Sequence, residues 1–356
     1  MKVRLAKTAG FCMGVRRAME LTLEAVNREN HRIYSYGPLI HNSQVMDMLS
    51  IKGLRTLDKD GEWPEEVETG DTVIIRAHGV PPDERKALKE AGWKVINATC
   101  PRVVQVQAII RRHAKKGYAA IIVGDVEHAE VVGLLGYAEG KGWAIKSEAE
   151  IRALPDLEKV IVVAQTTQNR PHFSNMVSII QDRWPEAVIF NTICEATYSR
   201  QEEVRQLANQ VQAMIVVGGH NSGNTKRLAE VSRETGTKTI HLETDEELDP
   251  DWLANVETVG ITAGASTPNW MIKRVARKLE RATRRRGMSL RRLPPDFAHA
   301  ALEQRIYRPG RGFAGPGRRH ITGIITRAEA LRGGFLLRAR HAHAQPVSGQ
   351  RGRKVQ

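Results

Sequence analysis

Cysteine is scarce in this chain. Only three occur in 356 residues, at Cys12, Cys100 and Cys194. An odd number of widely separated cysteines argues against a disulfide framework and for a reducing compartment, the cytoplasm. No two of them stand in the close C-x₂-C spacing that supplies most structural zinc sites. Long apolar runs are lacking too. No stretch approaches the roughly 20 residues that a membrane-spanning helix needs, so no membrane span is expected. The opening Met1-Lys2-Val3-Arg4-Leu5 has none of the apolar core of a signal peptide. Neither G-x-x-x-x-G-K-[ST] nor G-x-G-x-x-G occurs in residues 1–283, so nucleotide binding is not indicated there.

A surplus of one charge sign is missing from most of the chain as well. The formal charge is +14, from 54 Lys+Arg against 40 Asp+Glu. Of these, 17 basic and 3 acidic residues follow position 283, which leaves 37 of each sign before it. The first 283 residues are formally neutral, which removes the case for a polyanion-binding surface there. The excess sits in 284–356, where Arg284-Arg285-Arg286 and Gly315-Pro316-Gly317-Arg318-Arg319 belong to no helical or strand period. That segment reads as a disordered basic tail, with an RNA-binding or anionic-surface arm as the alternative. At 41% hydrophobic residues, the chain can bury two or three cores.

What is present is a repeat. The cysteines stand 88 and 94 residues apart, and each opens a helical pattern. Pro101 follows Cys100 in the first-turn position that proline suits. After Cys194 come Val204, Leu207, Ala208 and Val211 on one helical face. Each unit then continues as strand, polar loop, helix, strand and second polar loop. The strands read Ile33–Tyr36 and Thr72–Ile75, Ala119–Val123 and Val160–Ala164, then Met214–Val217 and Val259–Ile261. Short apolar strands alternating with helices imply an α/β fold with small parallel sheets and crossover helices. Three such domains are expected, at 1–97, 98–190 and 191–283, followed by the tail at 284–356.

Function in parallel sheets gathers at the carboxyl ends of the strands. Every polar loop here falls at such an end. The three cysteines are thus expected to face the region of His41, His78, His128, Glu130, Thr166, Ser222, Asn224 and Ser266. A lone cysteine is ordinarily a small buried hydrophobe. Three in parallel positions fit an iron–sulfur cluster with one iron free of protein ligands, a Lewis acid able to bind a substrate oxygen. A helix start after each cysteine favours its thiolate. The histidines, Ser222, Asn224 and Ser266 could hold phosphate oxygens, although serine and asparagine in such loops also serve as caps and turn residues. Glu130, two residues after His128, could deliver protons beside a metal and a phosphate. Alone it would read as an acidic residue in a first helical turn. Thr166-Thr167 could position a proton.

Nine motifs in order, from about Lys2 to about Leu279, resemble the hydroxymethylbutenyl diphosphate reductase family of the non-mevalonate isoprenoid route. Four lie in the first hundred residues: Ala9-Gly10-Phe11-Cys12-Met13-Gly14-Val15, Gly37-Pro38-Leu39-Ile40-His41-Asn42, Arg76-Ala77-His78-Gly79-Val80 and Ala98-Thr99-Cys100-Pro101. Five follow: His128-Ala129-Glu130-Val131, Gln165-Thr166-Thr167, Asn191-Thr192-Ile193-Cys194, Asn221-Ser222-Gly223-Asn224 and Thr262-Ala263-Gly264-Ala265-Ser266. The resemblance implies three α/β domains around a central [4Fe–4S] cluster held by Cys12, Cys100 and Cys194. It implies reductive removal of an allylic hydroxyl from a diphosphate substrate, giving isopentenyl and dimethylallyl diphosphates. It further implies diphosphate binding by His41, His78, His128, Ser222, Asn224 and Ser266. Glu130 would feed protons, assisted by Thr166 and His128, and electrons would come from a ferredoxin or flavodoxin. Read from the residues alone, two other classes stay open. One is a non-catalytic iron–sulfur sensor or an RNA-binding protein using the tail. The other is a zinc or purely structural three-cysteine fold.

Overall fold

The computed structural model describes residues 1–28, 31–58, 64 and 66–285. Along the chain come β1 (Lys2–Leu5), α1 (Met13–Arg28), β2 (Ile33–Tyr36), α2 (Ser43–Ile51), β3 (Leu54–Leu57), β4 (Thr72–Ile75), α3 (Pro82–Glu90) and β5 (Lys94–Asn97). Next are α4 (Pro101–Ala114), β6 (Ala119–Val123), α5 (Ala129–Leu135), β7 (Gly142–Ile145), α6 (Glu148–Ala153), β8 (Val160–Ala164), α7 (Arg170–Arg183) and β9 (Val188–Phe190). The last set is α8 (Glu195–Ala208), β10 (Ala213–Val217), α9 (Gly223–Glu234), β11 (Lys238–Leu242), β12 (Thr258–Ala263) and α10 (Asn269–Arg285).

The strands form three parallel four-stranded sheets, ordered β3-β2-β4-β5, β7-β6-β8-β9 and β11-β10-β12-β1. The order is the same in each. Two central strands are flanked by the strand that follows the first of them and by one that immediately precedes a cysteine. In the first two sheets that last strand, β5 or β9, comes late in its own unit and leads to Cys100 or Cys194. In the third sheet the place is taken by β1, paired to β12 with Lys2↔Thr258 through Leu5↔Ile261. The beginning of the chain thus completes the sheet built from its end. The expected divisions at 97/98 and 190/191 fall just after β5 and β9, whereas β1 joins the third sheet rather than the strands that follow it.

This cyclic order sets each cysteine in one equivalent place. The Cys100 amide donates to the Ala77 carbonyl after β4 at 2.9 Å, and that of Cys194 to Thr166 after β8 at 2.9 Å. The Cys12 amide donates to Ala265 after β12 at 3.1 Å. Each cysteine is therefore pinned to the carboxyl end of a central strand of the preceding sheet in the cycle, and opens a helix from there.

The central strands are almost wholly apolar and buried on both faces, as parallel sheets require. Ala119–Val123, Val160–Ala164 and Ala213–Val217 are buried along their full length. Two core layers flank each sheet. Around the third, Ile215, Val217 and Ile261 pack with Ile272, Val275 and Leu279 of α10 on one side. Met214 and Val216 pack with Val204 of α8 and Leu228 of α9 on the other. Capping follows local chemistry: Asn42 accepts from the Val45 amide at the start of α2, and Ser147 with Glu150 closes a capping box on α6. The basic segment read as disordered, 284–356, lies outside the described residues apart from the helical backbone at 284–285. Among the described residues no helix is long and apolar enough to cross a membrane.

Candidate active site

The loops at the carboxyl ends of the central strands enclose one cleft, with about 750 Å³ of atom-free space including its open mouth. Cys12, Cys100 and Cys194 line it, together with His41, His78, His128, Glu130, Thr166, Ser222, Asn224 and Ser266. All eleven residues singled out from the sequence meet there, drawn from all three sheets.

Each sulfur sits at a helix start. Cys100 and Cys194 occupy the N-cap positions of α4 and α8, and Cys12 immediately precedes α1. The Val15 amide donates to Cys12 Sγ at 3.5 Å, and the Arg102 and Val103 amides donate to Cys100. Burial pushes the Cys100 thiol upward; those amides work against it, and the neighbouring Cys12 and Cys194 add to the rise. Crowding three thiolates disfavours their charge unless a cation compensates it. Gly14 makes the crowding possible. A Cβ there would lie 2.5 Å from Cys100 Sγ, so no side chain fits between α1 and that sulfur. Three soft sulfur donors on one cleft, presented by amides and helix starts, suit an iron–sulfur group.

Three imidazoles form the facing wall. His41 and His78 rings lie 4.3 Å apart between centroids, and His128 lies 5.3 Å from His41 and 5.4 Å from His78. Burial holds all three below the ordinary histidine range, Arg76 adds to it, and repulsion from a neighbouring histidine lowers His78 and His128 further. His78 is well below it and His128 is pushed down to about 4. They are therefore neutral near pH 7 and act as single N–H donors. Their candidate ligand nitrogens lie within 4.8 Å of one another, close enough to share a metal ion. The His128 tautomer argues for an anion instead. Its Nδ1 accepts the Glu130 amide at 3.1 Å, which leaves the proton of the neutral ring on Nε2 as a donor rather than a metal ligand.

Several buried polar atoms of this wall have no protein partner: His41 Nε2, His78 Nδ1 and both side-chain polar atoms of Asn224. Buried groups are nearly always hydrogen-bonded, so such a cluster points to a polar ligand. Ser222 caps α9 by accepting the Thr225 amide at 3.4 Å, and Ser266 donates to the His41 carbonyl at 3.1 Å. Capping and pocket lining coexist here. Asn42, beside His41, is instead committed to its cap and to Met271 Sδ at 3.4 Å.

Glu130 is 2% exposed. Burial lifts its carboxyl to about 7, against the pull of the Thr166 amide and hydroxyl. Those two groups donate to Oε1 at 2.6 Å and to Oε2 at 2.8 Å. A carboxyl held near neutrality at a cleft wall can hold and release a proton at working pH. The sequence reading missed Arg200, a buried guanidinium in mid-α8 that lines the cleft, and the close approach at Gly14. Gly14 lies inside a quoted motif, whereas nothing in the helical pattern around Arg200 marks it.

The LytB protein family model matches residues 3–280. A curated relative from Aquifex aeolicus, a 4-hydroxy-3-methylbut-2-enyl diphosphate reductase, is 44% identical over 279 residues, covering 78% of this chain and 95% of the relative. One of the same name from Opitutus terrae is 43% identical over 290 residues, covering 79% and 99%. A solved (E)-4-hydroxy-3-methyl-but-2-enyl diphosphate reductase, described as the terminal enzyme of the non-mevalonate pathway, is 43% identical with a TM-score of 0.59, covering 79% of this chain and 99% of its own. The Plasmodium falciparum E-1-hydroxy-2-methyl-but-2-enyl-4-diphosphate reductase is 26% identical with a TM-score of 0.75, covering 85% and 97%. The match thus spans all three sheets and every residue of the cleft, and the chain belongs to the LytB protein family.

Proposed function

We propose that this chain is a cytoplasmic 4-hydroxy-3-methylbut-2-enyl diphosphate reductase. It removes the allylic hydroxyl with two electrons and two protons, releasing water and giving isopentenyl and dimethylallyl diphosphates. The observation that carries this reading is the single cleft. Three cysteines on one side face unpartnered phosphate-type donors on the other, with a near-neutral carboxyl between elements of both. Family membership and a match over 95% and 99% of the length of two named reductases stand behind it.

Cys12, Cys100 and Cys194 would hold a [4Fe–4S] cluster. When bound, it would supply electrons and a Lewis-acidic iron for the departing hydroxyl. The remaining roles belong to the protein. His41, His78 and His128 donate N–H groups to the diphosphate without carrying charge. Ser222, Asn224 and Ser266 complete the grip beside the start of α9, where helix polarity favours an anion. Glu130 holds the proton that turns the leaving hydroxyl into water. Thr166 keeps that carboxyl oriented through its amide and hydroxyl, and His128, two residues before it, keeps its proton on Nε2. Electrons would arrive from a ferredoxin or flavodoxin, as the family resemblance implies.

The test is anaerobic turnover of the hydroxylated allylic diphosphate with a chemical reductant, together with Cys194→Ser. Turnover by the brown wild-type protein, and loss of both colour and turnover in the variant, are expected. A colourless wild type, or a variant with an intact cluster, defeats the assignment.

A further inference from the structure

Arg200 is a charged side chain without a counter-ion in the ordinary sense. It is 6% exposed, lies in the second turn of α8 and lines the cleft with Cys12 and Cys194. No carboxylate pairs with it among the described residues. Its Nη1 donates to the Ala196 carbonyl at 2.9 Å, and its Nη2 to the Gly10 carbonyl at 2.9 Å. Its Nε is buried with no partner. The two accepting carbonyls stand two residues after Cys194 and two residues before Cys12. One guanidinium therefore ties together the backbones that carry two of the three sulfurs, across the join between the third sheet's first strand and the α8 helix.

Burial works against its charge, and Cys12 and Cys194 first, then Glu203, oppose that. Glu203 is engaged elsewhere, accepting from the Lys7 amide at 2.6 Å and the Thr8 amide at 2.8 Å. A buried cation left without a carboxylate is costly, and such charges persist where another negative centre compensates them. Arg102 lines the same cleft but is exposed, so water screens it. At the equivalent join before Cys100, Arg17 donates to the Thr99 and Asn97 carbonyls, each at 3.3 Å, from a more open position. The buried charge is thus specific to the Cys12–Cys194 side.

We infer that Arg200 is a positioning residue for the cysteine centre and its fixed counter-charge. It clamps the Cys12 and Cys194 segments and favours the more negative, reduced state of the group they hold. The inference rests on the iron–sulfur reading above and adds a residue that acts through the centre rather than on the substrate.

The experiment is a mediator-controlled anaerobic redox titration of the full-length protein, following the reduced cluster by electron paramagnetic resonance, in wild type, R200K and R200Q. R200Q keeps hydrogen-bonding capacity and loses the charge. Its one-electron reduction equilibrium is expected to fall about tenfold, a midpoint roughly 59 mV more negative. R200K keeps the charge and is expected to stay close to wild type. An R200Q midpoint equal to wild type overturns the inference. So does an R200K midpoint displaced as far as that of R200Q, because the effect then belongs to hydrogen-bond geometry and not to charge. Should R200Q fail to assemble a cluster, R200K decides: a cluster at the wild-type midpoint supports the counter-charge, and failure of both variants refutes it. A wild type without any cluster instead fails the functional reading and takes this inference with it.

Discussion

Replacing Glu130 by glutamine removes a charge that the fold disfavours, and its effect on stability has a definite sign. Burial lifts this carboxyl from 4.5 to about 7, with the Thr166 hydrogen bonds already opposing the rise. At about 1.4 kcal/mol per pKa unit, ionising Glu130 costs the folded state about 3 kcal/mol more than it costs the unfolded chain. Between these two values the folded protein still holds a proton that the unfolded chain has released. The contribution of Glu130 to stability is therefore greatest below about pH 4.5, falls as pH rises to about 7 and is level above that. Glutamine has nothing to ionise. Its side-chain oxygen can accept the Thr166 amide, and the Thr166 hydroxyl can turn to accept its NH₂. Glu130→Gln is thus expected to be more stable than wild type by up to about 3 kcal/mol near pH 8, and nearly equal to it near pH 4.5. Denaturant unfolding of both proteins across that range measures the gap. The same variant is expected to bind the diphosphate and fail in turnover, while wild-type turnover drops about tenfold per pH unit above neutrality. A stability gap that does not change with pH, or wild-type turnover by the variant, refutes the account of a buried proton-holding carboxyl.

Gly14→Ala brings a methyl group 2.5 Å from Cys100 Sγ, so the variant should fold with its helices intact but retain little iron, as colorimetric iron analysis would show. A variant with full iron content would show that the helix–sulfur approach is not needed. His78→Ala removes one buried donor and should weaken inorganic pyrophosphate binding about tenfold, roughly 1.4 kcal/mol, in calorimetry, with KM rising more than kcat falls. An unchanged affinity would take His78 out of the anion grip. Ending the chain at Arg285 should leave turnover unchanged and abolish any salt-sensitive nucleic-acid binding of the full chain, measured by titration against RNA at two ionic strengths. Lost turnover would give the basic segment a catalytic role.

Much of the architecture was legible because the central strands are the most apolar segments of the chain. Thr72–Ile75, Ala119–Val123 and Val160–Ala164 were read with their observed limits, since strands buried on both faces leave no polar positions to blur them. The edge strands were not read. Leu54–Leu57, Lys94–Asn97, Gly142–Ile145, Val188–Phe190 and Lys238–Leu242 are short, partly exposed and mixed in polarity, so neither period 2 nor a long apolar run distinguishes them from loops. Lys2–Leu5 was equally silent, because its partner Thr258–Ala263 lies at the opposite end of the folded chain.

The division at the cleft follows the same physics. The recurrence of single cysteines before helices and the polar loops at strand ends are local properties, and they marked the eleven residues that meet in the cleft, while the nine motifs carried the resemblance to the family. What tertiary structure alone decided is how those residues act on one another. The lift of Glu130, the neutral histidine trio and the burial of Arg200 without a carboxylate all arise from burial and from neighbours many residues away. Desolvation and proximity in three dimensions carry no trace in a one-dimensional pattern, and the chemistry of this cleft depends on both.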